Sequence, residues 1–342
     1  MIATPLEAKL VEQVKAADPR VEVLYEPELL PPTRFPGDHR GIAGFIRTLD
    51  GERRWHAMLH AADVLFGIPG DTSGGLTAVI RECPKLRWVQ ATATGAGEQV
   101  RAADLTREEL ERVIVTSARG VHAGPLAEFA LFGLLAFARG LPRLLADQRA
   151  HRWDHYPVCE LRGDTMLIVG LGKIGAEVAR LASAFAMQVI GINRSGHSDS
   201  PHVTETYASD ALDELLPRAD AIVITLPLTE ETSGLIGPGA FARMKAGAIL
   251  VNVGRGGVID EDALVRALRD GRLRGAALDV FATEPLPAHS RLWELPNVLL
   301  SPHTAGLSVR ENERIVELFV ENIGRYLRGE ELHARVHPTL FY

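Results

Sequence analysis

The sequence predicts an α/β protein of two domains: a doubly wound parallel sheet, and a second, discontinuous α/β unit built from both ends of the chain. Three observations carry this. Short apolar runs alternate with amphipathic helical stretches throughout, the pattern of a parallel sheet covered on both faces. Six such runs follow one another in the later part of the chain, at 166–170, 188–192, 221–226, 248–253, 275–280 and 298–301. A glycine-rich turn follows the first of these six, and the earlier runs have no counterpart to it.

Taken in order, residues 5–16 repeat apolar side chains at helical spacing (Leu6, Leu10, Val11, Val14), and 21–25 alternate like a strand. Residues 26–41 are rich in Pro, Gly and charge and read as loop; the stretch Arg34-Phe-Pro-Gly-Asp-His39 within it fits no motif. A helix through 55–61 leads to strands at 64–68, 87–90 and 112–116, with helices between them. Between two of these elements lies Ala91-Thr-Ala-Thr94-Gly95-Ala96-Gly97-Glu98. Small residues after a strand leave backbone N–H groups accessible, which suits a small anion such as a carboxylate as well as a plain turn.

Residues 123–145 read as one helix, rich in Leu, Ala and Phe. Glu128, Gly133, Arg139, Gly140 and Pro142 interrupt it and no basic cluster flanks it, so burial or a subunit interface explains it better than a membrane. His151 and His155 stand at i, i+4, a spacing that can hold zinc on a helix. The catalytic Glu of a zinc motif is absent and no third ligand is evident, so they read as surface or interface residues and no metal is expected. A last amphipathic helix, 308–328, is expected to return to the first domain. The domains are therefore 1–117 with 306–342, and 118–305.

The glycine turn is Gly170-Leu-Gly172-Lys173-Ile174-Gly175. A buried strand precedes it, a helix carrying Ile174, Val178, Ala179 and Leu181 follows, and another strand comes next; this is the context of a Rossmann dinucleotide site. Gly170 allows the bend, Gly172 lets backbone approach a pyrophosphate, and Gly175 lets helix and strand pack closely. The helix N-terminus offers free N–H groups to phosphate. About 20 residues beyond the first glycine, a ribose 2′-hydroxyl is usually met by Asp or Glu. This chain has Asn193-Arg194-Ser195 instead. A carboxylate would repel a 2′-phosphate, whereas Arg194 attracts it beside amide and hydroxyl donors, so NADP is favoured over NAD.

Composition sets limits on partners. A formal charge of −7 over 342 residues gives no general attraction to nucleic acid or to an anionic membrane. Two cysteines, Cys83 and Cys159, make neither a disulfide framework nor a metal pair, which fits a reducing cytoplasm. The first residues lack the basic start and apolar core of a signal peptide.

Three ionisable groups emerge from consecutive strand ends, where doubly wound sheets bind ligands. They are Arg255 in Asn-Val-Gly-Arg-Gly-Gly, Glu284 in Asp-Val-Phe-Ala-Thr-Glu-Pro-Leu-Pro, and His303 in Ser-Pro-His-Thr-Ala-Gly. With Gly-Leu-Gly-Lys-Ile-Gly at 170–175, Leu-Pro-Leu-Thr at 226–229 and Pro-His-Thr-Ala at 302–305, these motifs stand in an order that resembles the D-2-hydroxyacid dehydrogenase family, most strongly over 163–306. The resemblance implies that Arg255, Glu284 and His303 are the catalytic Arg, Glu and His, and that Asp279 hydrogen-bonds a nicotinamide carboxamide. It implies cofactor contacts at Gly170, Gly172, Lys173, Ile174, Gly175, Asn193, Arg194, Ser195, Leu226, Pro227, Thr232, Val253, Gly254 and Asp279. It also implies substrate contacts at Thr94, Gly95, Ala96, Arg255 and His303, although Gly97-Glu98 departs from the usual spacing. By the same resemblance the first domain is flavodoxin-like and the protein a homodimer.

The implied reaction reduces a small 2-oxo acid to a 2-hydroxy acid, with glyoxylate or hydroxypyruvate as candidates. The cofactor supplies hydride; the protein supplies position, charge and a proton. Imidazole is the side chain that exchanges a proton near neutral pH, which suits His303 as general acid/base, oriented by Glu284. Arg255 is suited to hold the carboxylate and polarise the carbonyl. The alternative from another class is a nucleotide-sensing corepressor, which shares this fold; the chain lacks an extended partner-recruiting segment.

Overall fold

Residues 1–339 are described by the structure, a computed structural model, and their contacts fall into two units: Met1–His122 with the segment from Leu307 onward, and Ala123–Gly306. In the first unit, α1 (Ala8–Lys15) buries Leu10, Val11 and Val14. Helix α2 (Leu49–Ala61) is capped by Thr48, whose hydroxyl accepts the Gly51 N–H at 3.1 Å. There follow β1 (Val64–Phe66), α3 (Ser73–Glu82), β2 (Trp88–Gln90), α4 (Ala96–Ala102), α5 (Arg107–Arg112) and β3 (Ile114–Thr116). A capping box between Thr106 and Glu109 opens α5; at its other end the Val113 N–H still bonds Glu109 O, so the strand starts at Ile114, later than the apolar run suggests.

The three strands pair in parallel in the order β1-β2-β3. The expected strand over 21–25 is not formed. That segment makes a single bond toward the sheet, Ile2 N–H to Leu24 O at 3.0 Å, while Ile2 itself bridges Phe66 of β1. Backbone order outward from β1 is thus Ile2, then Leu24, which completes a flavodoxin-like arrangement without a ladder at its edge. The returning helix Glu311–Leu327 packs on α1, and its Phe319 ring lies 4.9 Å from Phe66 of β1 and 5.0 Å from Trp88 of β2, both fully buried.

The loop around Arg34 gains an account. Asp38, buried, accepts both a forked pair of bonds from the Arg34 guanidinium (2.8 Å each) and the backbone N–H groups of Arg34 and Gly41. Those donors hold its carboxyl well below the usual carboxylate range, the Arg34 side chain most of all.

The second unit begins with α6 (Ala123–Ala138) and α7 (Leu141–Arg149), bent by 61°. The single helix expected over 123–145 therefore breaks. Gly140 takes φ +70°, a left-handed conformation that ends α6, and Pro142 sits in the first turn of α7. Helix α6 lies tight against the sheet: a Cβ on Gly133 would come within 2.4 Å of the Ala277 Cβ. Among the described residues no single helix is long and apolar enough to cross a membrane; α6 and α7 pass that test only as a bent pair, by length and composition. His151 and His155 follow α7 in exposed, non-helical chain, so they do not share a helix face.

The sheet of this unit contains β4 (Thr165–Val169), β5 (Gln188–Ile192), β6 (Glu205–Tyr207), β7 (Ala221–Ile224), β8 (Ala248–Asn252), β9 (Leu273–Leu278) and β10 (Val298–Leu300). The intervening helices are α8 (Lys173–Ala184), α9 (Leu212–Leu215), α10 (Pro238–Arg243) and α11 (Glu261–Arg269). All strands are parallel, in the order β10-β9-β8-β7-β4-β5-β6. The chain winds outward from β4 to β6, then returns to the other side of β4 as β7. That reversal makes the carboxyl ends of β4 and β7 the topological switch point, where such sheets bind ligands. Strand β6 is an addition to the six apolar runs: Glu-Thr-Tyr at a sheet edge is only half-buried and carries no apolar signal. In the first unit, Glu311–Leu327 becomes α12.

Candidate active site

At the switch point the three glycines of the turn have different surroundings. Gly170 has φ +110°, and a Cβ there would meet Thr225 Oγ1 at 2.8 Å. Gly175 is pressed against the turn, a Cβ falling 2.3 Å from Gly170 O. At Gly172 a Cβ would meet no heavy atom within 4 Å, so that backbone faces open space. Gly172 is also the N-cap of α8, and no side chain caps its free N–H groups. Uncapped donors of a long helix, facing open space beside glycine backbone, fit a pyrophosphate. Lys173 is exposed in the first turn, and Ile174 packs on the core below it.

Past β5, Asn193 builds the turn itself. Its Oδ1 accepts the Gly196 N–H (2.7 Å) and the Ser195 hydroxyl (3.0 Å), and its Nδ2 donates to His197 O (2.7 Å). The amide and hydroxyl donors expected to assist Arg194 are thus engaged within the turn, because an Asx side chain readily bonds backbone two or three residues on. Arg194 is exposed beside them.

The rim continues along the strand ends. The Thr225 hydroxyl donates to Gly170 O, tying β7 to the glycine turn. Thr232 closes the following loop, its hydroxyl donating to Pro227 O at 2.7 Å and accepting the Thr229 N–H at 2.8 Å. A Cβ on Gly254 would fall 2.5 Å from Leu226 O, so the chain after β8 lies directly on the chain after β7. Buried Asn252 shapes that next turn: it accepts the Gly254 N–H at 3.0 Å and donates to Arg255 O at 3.1 Å, above buried Val253. Arg255 Nη1 donates to Gly254 O at 2.9 Å. Gly256 then meets the backbone of Phe281 so closely that a Cβ would sit 1.9 Å from its carbonyl carbon. The Arg255 turn and the chain after β9 are therefore neighbours.

Phe281 leads to the next pair. Its N–H is accepted by Glu284 Oε1 at 3.0 Å, and Glu284 Oε2 lies 2.7 Å from His303 Nδ1. Half of the His303 side chain remains accessible, 51%, so the ring is held yet open to a ligand. Its backbone is held in turn. Buried Asp279 accepts on one oxygen from the Ser301 hydroxyl (2.6 Å) and from Thr304 and Ala305 N–H (2.9 Å each), while Asp279 O accepts the His303 N–H at 3.0 Å. This clamp fixes His303 at φ +56°, uncommon for a residue with a side chain. A continuous line of contacts thus runs from the glycine turn through Thr225, Leu226, Gly254, Gly256 and Phe281 to Glu284 and His303. The anchoring of the 301–305 turn by Asp279 was not legible in sequence, where an Asp in a loop reports no partner.

Thr94, Gly95 and Ala96 lie in the other unit. Gly95 precedes α4 without a side-chain cap, Thr94 is exposed and Ala96 buried. Thr94 Oγ1 contacts His122 Nδ1, and His122 Nε2 lies 2.9 Å from Glu311 Oε1. Neither partner was marked by any motif.

Comparison with known proteins gives a consistent result. Residues 131–305 match the family described as D-isomer specific 2-hydroxyacid dehydrogenase, NAD binding domain. A glyoxylate reductase of Korarchaeum cryptofilum is 36% identical over 259 residues, covering 74% of this chain and 76% of that protein. The chain spans about half of the D-3-phosphoglycerate dehydrogenases it matches, 48% of that from Methanocaldococcus jannaschii. A D-isomer specific 2-hydroxyacid dehydrogenase from Xanthobacter autotrophicus Py2, solved with NADPH and MES, superposes with a TM-score of 0.74 at 28% identity over 99% of this chain and 97% of that one. An NADPH-dependent glyoxylate/hydroxypyruvate reductase from Sinorhizobium meliloti, solved with NADP and sulfate, gives 0.70 at 28% identity over 82% and 86%.

Proposed function

The chain belongs to the D-isomer specific 2-hydroxyacid dehydrogenase family, and on that premise we propose that Glu284, His303 and Arg255 carry its reaction. It is an oxidoreductase that transfers a hydride between NAD(P)H and small 2-oxo or 2-hydroxy acids. A bound nicotinamide cofactor supplies the hydride. Glu284, accepting from Nδ1–H, fixes the tautomer of His303 and leaves Nε2 for the substrate oxygen. In reduction Nε2–H gives its proton to the carbonyl oxygen as charge develops there; in oxidation the neutral ring takes it back. The Arg255 fork binds the substrate carboxylate and polarises the carbonyl. The observation that carries this reading is the 2.7 Å bond between Glu284 and His303 on the rim shared with the glycine turn.

The cofactor is read as NADPH, held by the 170–175 turn, by Leu226, Pro227, Thr232, Val253 and Gly254, and by Asp279 at the carboxamide. Arg194, exposed where a carboxylate would otherwise stand, supports the 2′-phosphate. The substrate is read as a small 2-oxo acid of the glyoxylate or hydroxypyruvate kind. A homodimer is supported by Phe132, Leu144, Leu145 and Trp153, exposed apolar side chains on or just beyond α6 and α7. Cys83 and Cys159, both free, support a cytoplasmic setting. The test follows nicotinamide absorbance with NADPH or NADH against a panel of 2-oxo acids. Turnover is expected with the smallest acids and NADPH; no turnover with any acid overturns the reading.

A further inference from the structure

The first unit holds a cavity of about 450 Å³ that plays no part in the proposed reaction. It is lined from the start of α1, the proline-rich segment 27–36 and the first turn of α12, all within that one unit. A space of this size takes a small organic molecule. Much of the wall is proline, whose fixed φ leaves little to order when a ligand arrives. The stretch Arg34–His39, which fits no sequence motif, supplies part of the wall and is pinned by the bonds to Asp38. Phe45 supplies another part. It is steadied by Arg47, whose guanidinium lies 5.8 Å from that ring and 4.0 Å from the Trp55 ring and donates to Leu29 O at 2.7 Å.

The charge of the wall has one sign. Among the described residues no Lys, Arg or His lines the cavity, and its charged residues are the acids Glu7, Glu28 and Asp38. Arg34 neutralises Asp38, and Arg54 bonds Glu28 at 2.6 Å. Glu7 is different. It stands at the N-cap of α1 without capping it; its Oε2 accepts instead from the amide of buried Asn312, Nδ2, at 2.8 Å. A neutral partner fixes this carboxylate without cancelling its charge, and leaves Oε1 for a ligand. The Tyr25 hydroxyl donates to Leu6 O at 2.8 Å and accepts the Leu6 N–H at 3.2 Å, so its ring is what it offers the cavity. We propose that this cavity is a second ligand site, which takes a small protonated amine with an apolar or aromatic body. The ammonium group donates to Glu7 Oε1, and the body lies against the prolines and the rings of Tyr25, Phe35 and Phe45. Its ligand is opposite in charge to the 2-oxo acids and nucleotide of the other unit's chemistry, which these acids repel. The proposal therefore stands independently of the reductase reading.

The test is calorimetric titration of the full-length protein at neutral pH with benzylamine, which is protonated there, and with benzyl alcohol, its neutral counterpart of similar shape. One benzylamine per chain is expected to bind, with benzyl alcohol at least about tenfold weaker, the effect of a hydrogen bond to a charged group. Benzoate is expected not to displace benzylamine. Glu7→Gln keeps an acceptor for Asn312 but removes the charge; it is expected to weaken benzylamine to the level of the alcohol without lowering the melting temperature. Phe45→Ala, which leaves Glu7 in place, is expected to weaken amine and alcohol alike. No heat of binding with benzylamine at millimolar concentration, equal affinity for amine and alcohol, or an unchanged dissociation constant in Glu7→Gln overturns the proposal. If Glu7→Gln fails to fold, the comparison of amine with alcohol in the unmodified protein and in Phe45→Ala still decides it.

Discussion

Glu284 uses both carboxylate oxygens: Oε1 accepts the Phe281 N–H at 3.0 Å and Oε2 the His303 ring at 2.7 Å. The carboxylate is therefore oriented by backbone before it orients the imidazole. A replacement that keeps the shape but loses the charge acts on His303 alone. Glu284→Gln is expected to lower kcat on the order of 10- to 100-fold, below the roughly 10²–10⁴-fold of losing the acid itself, with NADPH binding intact. Steady-state kinetics beside a cofactor titration check it; kcat equal to that of the unmodified enzyme would remove Glu284 from the mechanism.

The glycines of the turn separate binding from folding. Gly172 faces open space at φ −89°, so Gly172→Ala is expected to leave the melting temperature alone and weaken NADPH binding. Gly175 has Gly170 O within 2.3 Å of a would-be Cβ, so Gly175→Ala is expected to destabilise the fold by about 1–3 kcal/mol. Thermal denaturation of both variants, with and without NADPH, tests the contrast. A reversed order of effects would mean that the open face at Gly172 is not where the phosphates lie.

Arg194 distinguishes the two cofactors. Removing its charge is expected to weaken NADPH by about tenfold, the low end for a charged hydrogen bond because the side chain is exposed, while NADH binding stays the same. Fluorescence titrations of Arg194→Ala with both cofactors provide the reading. Equal losses for the two would point to stacking on the adenine in place of recognition of the 2′-phosphate.

His39 makes stability depend on pH. Its ring Nδ1 lies 3.2 Å from Thr4 Oγ1, and Nε2 is buried with no hydrogen-bond partner among the described residues. Burial pushes the imidazole below its ordinary value of 6.5, outweighing the carboxylates of Glu311, Asp71, Asp38 and Glu7 around it. Between the lowered value and 6.5 the unfolded chain binds more protons than the folded one, so stability rises with pH in that window and falls as pH drops through it. Urea denaturation from pH 7.5 down to 5 is expected to show this decline, and His39→Gln to make it shallower. An identical slope in the variant would assign the acid sensitivity to other groups.

How much of this could be read from the residues depends on range. Strands β4, β5, β7, β8 and β9 announce themselves as apolar runs because both faces of a parallel sheet are buried. The edge strand Glu205–Tyr207 lacks that signal, and segment 21–25 has an alternating pattern but only one backbone bond toward the sheet. The break between α6 and α7 turns on the left-handed backbone at Gly140, one of several interruptions in an apolar stretch that each looked tolerable. At the site, ordered motifs single out Arg255, Glu284 and His303. They say nothing of the Asp279 clamp, or of His122 meeting a glutamate 189 residues further along the chain. Such partners are set by tertiary packing, which no local spacing encodes.

Single-turnover oxidation of bound NADPH by glyoxylate, compared between the unmodified enzyme and His303→Asn, tests the central claim most directly. The account predicts that the variant binds NADPH normally and transfers hydride roughly 10²–10⁴-fold more slowly, because the alkoxide is formed without a proton donor. Hydride transfer at the unmodified rate in His303→Asn would contradict it.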